Sequence, residues 1–114
     1  MAQYLILIYN NESALNSAGA SEVEQIYQAH GKFAQTYGGS IRGGARLADS
    51  DTATSIRTEA DGTQTVTDGM FPETKEVLGG YYVVEARDVD EAIAMAKLVP
   101  STGGGIEVRP IIPS

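Results

Sequence analysis

Hydrophobic positions fall along this chain in two rhythms. Tyr4-Leu5-Ile6-Leu7-Ile8-Tyr9 is apolar at every position, which predicts a strand with both faces buried. Asn10 to Ala20 is polar and small and reads as a connection. Ser21 stands three residues before Glu24, the spacing at which the two side chains cap orphan backbone donors at a helix start. The predicted helix runs to about Tyr37 and is stopped by Gly38-Gly39, with Val23, Ile26, Tyr27, Phe33, Ala34 and Tyr37 on one face.

Ser40 to Ala48 reads as a second strand with a bulge or close backbone approach at Gly43-Gly44. Ala53 to Glu59 and Thr63 to Thr67 alternate across Asp61-Gly62, a dipeptide that favours a tight hairpin turn. Val77 to Ala86 is a further strand, and Asp88 with Glu91 caps a helix from Val89 to Leu98 whose face is Val89, Ala92, Ile93 and Ala96. Pro100 ends it, and Ile106 to Ile111 forms the last strand after Gly103-Gly104-Gly105. The order β-α-β, hairpin, β-α-β is the split βαβ pattern of a ferredoxin-like α+β fold. Two helices cover one sheet face. The apolar residues on the other face predict a second sheet against it, hence a homodimer.

At 114 residues the chain is expected to be one domain, residues 1–114, with a single core. It contains no cysteine, which excludes disulfides and thiolate metal sites and fits a reducing cytoplasm. The apolar run in the first ten residues is too short for a membrane span and lacks a basic segment before it, so neither signal peptide nor membrane anchor is expected. Fifteen acids against eight bases give a net charge of −7. The bases are scattered, so the chain has no basic stripe to neutralise phosphates and direct nucleic-acid binding is excluded.

Asp68 to Tyr82 reads D-G-M-F-P-E-T-K-E-V-L-G-G-Y-Y. It resembles the signature of the YCII-related family, in its DGPF-domain branch: Asp-Gly-Pro-Phe, a small residue, Glu-Thr-Lys-Glu, and then Gly-Gly-Tyr-Tyr. Tyr4 to Tyr9, Ala29-His30-Gly31-Lys32-Phe33, Gly43-Gly44-Ala45-Arg46-Leu47 and Gly105 to Pro110 resemble the family's opening strand, first helix, second strand and closing strand. Met70 replaces the motif's proline, and Pro72 stands where a small residue is usual. The loop is expected to keep its course while stiffening at a different point. The resemblance implies a dimeric α+β barrel, with His30 and Asp68 as the suggested active centre. It also implies an alternative role as a non-catalytic regulatory or ligand-sensing dimer associated with extracytoplasmic-function sigma factors.

His30 is the single histidine and sits on the apolar stripe of the first helix. It is either a core histidine satisfied by backbone or tyrosine groups, or a proton carrier whose ordinary pKa lies near neutrality. A carboxylate such as Asp68 would orient it, but Asp68 can equally be a turn residue before Gly69. Arg42 and Arg46 are an even four residues apart, which predicts one shared face. Arg46 or Arg109 would clamp a carboxylate or enolate if it enters the pocket, and would otherwise pair with rim acids such as Glu73, Glu76 or Glu107. Lys75 and Glu73 are expected to brace the loop. Tyr81 and Tyr82 point to opposite faces, so one of them lines the interior. The Ser101 to Gly105 run follows a helix rather than preceding one, the reverse of a phosphate-cradling loop. One histidine cannot supply a paired-His metal site. The expected function is small-molecule binding or proton-transfer catalysis of lyase, isomerase or hydrolase type, without metal or organic cofactor.

Overall fold

Alternation decides where the first strand sits. In the computed structural model, which describes residues 1–71 and 75–114, β1 (Ala2–Asn11) buries Tyr4, Ile6 and Ile8. Leu5, Leu7 and Tyr9, on its other face, remain half-exposed. The expectation of two buried faces is therefore met on one side only within the single chain. The chain continues through α1 (Glu12–Asn16), α2 (Ala20–Tyr37), β2 (Ile41–Arg46), β3 (Thr54–Thr58), β4 (Gln64–Asp68), β5 (Glu76–Ala86), α3 (Val89–Ala96) and β6 (Gly105–Pro110). Pro72 and Glu73 lie outside the described residues, and with them the expectations of a stiffened loop and an acid brace.

The fold is a mixed α+β arrangement of an antiparallel sheet and three helices. Four strands pair in the order β2-β5-β1-β6, while β3 and β4 form a separate two-stranded sheet. The four-stranded sheet is open, with β2 and β6 at its edges, and the described residues close no barrel. Phe33 of α2 and Ala92, Met95 and Ala96 of α3 pack on Ile6, Ile8, Val84 and Ala86, so both helices lie on the same sheet face. Together with the half-exposed opposite face, this gives a molecule only 17 Å thick along its shortest axis. Its radius of gyration is 16.1 Å, where a compact chain of this length has about 13 Å.

Several local expectations are corrected. The supposed connection after β1 contains α1, which starts because the Asn11 side chain accepts a hydrogen bond from the Ala14 N–H at 3.1 Å. Ser21 does not cap α2: the helix begins at Ala20 with Gly19 as its cap residue and no side-chain cap bond. Asp88 does cap α3, accepting from the Glu91 N–H at 2.9 Å, while Glu91 accepts from the Arg87 N–H at 3.0 Å. The buried face of α3 is Ala92, Met95 and Ala96, and Val89 and Ile93 face outward. The predicted hairpin forms, with Gly62 at φ +89° in its turn.

Candidate functional site

Glycine opens a space beneath one end of α2. Ile8 pairs with Gly80, and Tyr82 pairs with Gly44, so two positions on the helix-facing side of the sheet carry no side chain. Above them Val23 and Tyr27 are exposed, Tyr27 by 60%, and Phe33 is the only buried residue of α2. The result is a cavity of about 460 Å³, within the range usual for small-molecule sites. Gly44, Gly79 and Gly80 border it on the sheet side and Leu15, Ile26 and Tyr27 on the helix side. At Gly44 a Cβ would come 2.7 Å from the Tyr81 carbonyl oxygen, so the glycine is required by the backbone as well as by the cavity.

His30 lies on this wall, and its Nδ1 is 2.6 Å from the Tyr82 hydroxyl. The rings are tilted by 43°, and Tyr82 in turn packs on Phe33 with centroids 4.7 Å apart and planes tilted by 51°, which joins the site to the core. Burial, and then the positive charge of Arg46, lower the His30 pKa below its ordinary value and hold the ring neutral at pH 7. Burial also pushes the Tyr82 hydroxyl above its usual range, so it keeps its proton. Nε2 makes no hydrogen bond among the described residues. Since no buried side-chain N or O atom is left unsatisfied there, Nε2 is open to solvent.

The partner found for His30 is thus Tyr82, not Asp68. Asp68 ends β4, is exposed, and pairs with Thr54 in the two-stranded sheet, away from the cavity lining. Gly69 after it has φ +100°, a turn conformation suited to glycine. Of the arginines, Arg46 lines the cavity and makes no hydrogen bond or ion pair among the described residues. Arg42 does not share its face. A register shift between Ile41 and Gly43 makes Arg42 the extra residue of a bulge, and it reaches Glu85 at 2.9 Å on the opposite side of the sheet. Arg109 is exposed and paired in register with Leu5, also on that opposite side. Tyr81 pairs with Leu7 and Ala45 on the same side and only borders the cavity, whereas Tyr82 enters it.

Composition and periodicity missed a clasp at the cavity mouth. Glu12 of α1 accepts hydrogen bonds from the Ser50 hydroxyl at 2.6 Å and its N–H at 2.8 Å, and these bonds lower its pKa. Asp49 accepts from the Asn16 amide at 3.4 Å. Each pair spans more than thirty residues, and no local signal announces it. Among the described residues no group of three acids or histidines is placed to hold a metal ion, and no helix is long and apolar enough to cross a membrane.

The geometry defines an α+β domain with a glycine-floored pocket and a histidine–tyrosine pair on its wall. A family model for the YCII-related domain matches residues 2–114, and the chain belongs to that family. It is also similar to an uncharacterised protein of Rhizobium meliloti, at 35% identity over 114 residues, covering 95% of this chain and 90% of the relative.

Proposed function

We propose that this protein binds a small organic molecule in the α2 cavity and moves a proton on it with His30. The observation that carries this reading is the chain's single histidine, on a cavity wall, bonded at 2.6 Å to Tyr82. A hydroxyl both donates and accepts. When Tyr82 donates to Nδ1, the neutral ring carries its proton on Nε2 and can donate a hydrogen bond to a substrate oxygen. When Nδ1–H donates to Tyr82, Nε2 is bare and can act as a base. A carboxylate partner would accept only and would favour the second state. Arg46 beside the ring stabilises negative charge that develops on a substrate, as preorganised cations do in enolate-forming sites.

The finer architecture belongs to the same reading: a ferredoxin-like split βαβ domain of the DGPF type that forms a homodimer through its open sheet face. Leu5, Leu7, Tyr9, Leu78 and Val83 on that face support the dimer, as does a single-chain thickness of 17 Å. The His30–Asp68 dyad is part of the same proposal and requires Asp68 to be supplied by a second copy. Replacing Asp68 with Asn separates the cases, since it depresses activity only if Asp68 reaches the site.

The test is deuterium incorporation from D₂O into 2-oxobutanoate, acetylacetone and a small unsaturated lactone, followed by NMR. The wild type should accelerate exchange in at least one probe, and His30→Gln should abolish that acceleration. Equal exchange with both proteins would overturn the reading. Mass spectrometry of the supernatant from denatured protein identifies any compound that co-purifies.

A further inference from the structure

Resting on the cavity as a ligand site, we propose that its ligand is a small monocarboxylate with a flat apolar body, the carboxylate held by Arg46 and the body lying between the glycine floor and α2. Arg46 is the first reason. The chain carries fifteen acids against eight bases, yet this guanidinium lines a cavity with no acid bonded to it among the described residues. Arg42 and Arg87, by contrast, are paired with Glu85 and Glu91, and Arg57 lies 4.5 Å over the Phe71 ring. An unpaired planar guanidinium beside apolar walls is suited to bidentate recognition of a carboxylate.

The charge of the ligand follows from the rest of the lining. Glu12 and Asp49 border the same cavity, and each already accepts hydrogen bonds from the chain, from Ser50 and Asn16. They supply no further cation and oppose a second negative charge. His30 supplies none either, because burial and Arg46 hold it neutral. A phosphate dianion would want several donors, and the backbone around Gly44 and Gly80 is committed to strand pairing. One cation therefore matches one carboxylate.

The shape follows from the glycines and from α2. Gly44, Gly79 and Gly80 leave part of the sheet side of the cavity bare between Ile8, Val77 and Tyr82, while Leu15, Val23, Ile26 and Tyr27 present apolar surface from the helices. A partly bare floor between apolar walls fits a planar body. The volume of about 460 Å³ accommodates one ring with substituents.

Calorimetry and thermal shift on the intact protein test this with benzoate and phenylacetate, their methyl esters, phthalate, benzylamine and inorganic phosphate. The monocarboxylates should bind about tenfold or more tighter than the esters, the size expected for a charge-assisted hydrogen-bond pair. Arg46→Met should abolish that preference and Arg46→Lys should keep part of it, with circular dichroism confirming the fold. Saturating benzoate should also raise the His30 pKa by NMR, because it offsets the Arg46 charge; Tyr82 bonds the ring, and the other titratable groups lining the cavity are Glu12, Asp49, Tyr27 and Tyr81. Esters binding as well as acids would overturn the proposal, as would tighter binding of phthalate, phosphate or benzylamine, or no binding by any carboxylate. Should Arg46→Met not fold, the acid-to-ester ratio in the wild type and Arg46→Lys decides. Carboxylates that bind through Arg46 without deuterium exchange would sink the proton-transfer reading alone. Exchange in neutral carbonyl compounds that ignores Arg46 would sink this one alone.

Discussion

The two ends of one sheet face are built in opposite ways. Under α3, Met95 and Ala96 fill the space above Ile6 and Val84, and small alanines let the helix approach closely. Under the first half of α2 the sheet offers Gly44 and Gly80, and the helix turns Val23 and Tyr27 toward a void. Phe33, fully buried, marks the boundary between the two. Packed side chains hold one end, and that rigidity lets the other end stay open without collapse. A fold this small can keep a cavity only where its stability comes from elsewhere.

The sharpest break in this comparison is a truncation at the filled end. Met95→Ala should destabilise by about 2–5 kcal/mol, the range for large-to-small changes at fully buried sites, as read from urea unfolding. Next is filling the floor: Gly44→Ala forces a Cβ toward the Tyr81 carbonyl oxygen at 2.7 Å, and should cost about 1–3 kcal/mol as overpacking does. It should also weaken ligand binding, measured by calorimetry.

Acid should expose a third difference. His30 has a folded-state pKa below its unfolded value, so the unfolded chain takes up the proton first as pH falls. Stability is therefore intact above about pH 6.5 and declines as pH drops through and below that value. The lowered carboxyls Glu12 and Asp61 act only at lower pH. His30→Gln should flatten the decline between about pH 6.5 and 5, seen in denaturant midpoints across that window. The smallest stability change is expected at the empty end, where Val23→Ala should fall within about 0.5 kcal/mol, as for exposed positions. Ligand affinity, not the unfolding midpoint, should register that substitution.

The first strand is legible as an unbroken apolar run from Tyr4 to Tyr9, and the hairpin strands by their alternation across Asp61-Gly62, a dipeptide that favours a tight turn. The three helices were read unevenly. α2 and α3 carry long periodic stripes, but α1 has one turn and depends on Asn11 and on Ser50, thirty-eight residues from Glu12. The face of α3 was misread because Met95 and Val99 pack inward while Ile93 does not, a choice made by the sheet below. Placing His30 on the inward side of α2 followed from spacing. Its partner did not, since Tyr82 lies fifty-two residues away and the order of Tyr81 and Tyr82 is set by the pairing of β5. Arg46 and Arg109 are offered alike by the sequence, and only Arg46 lines the cavity; Gly43-Gly44 signals a bulge or close approach, but spacing does not tell that Arg42 is its extra residue.

That bulge makes β2 a matter of parity. From Ile41 to Gly43 the strand advances two residues while β5 advances one, and every position beyond is switched between odd and even. Substituting Arg42 changes a surface ion pair and leaves the count alone. Deleting it removes the extra residue: Ile41 opposite Val84 and Gly44 opposite Tyr82 are then both kept in a regular ladder, and Arg46 stays opposite Gly80 on the cavity side. Were Arg42 instead paired with Val83 in a regular ladder, Ala45 would fall opposite Gly80 on the cavity side and Arg46 would face the far side of the sheet. The unpaired state of one residue thus determines which compartment receives the guanidinium, and a second residue inserted between Gly43 and Arg46 would separate Arg46 from His30 without altering either of them.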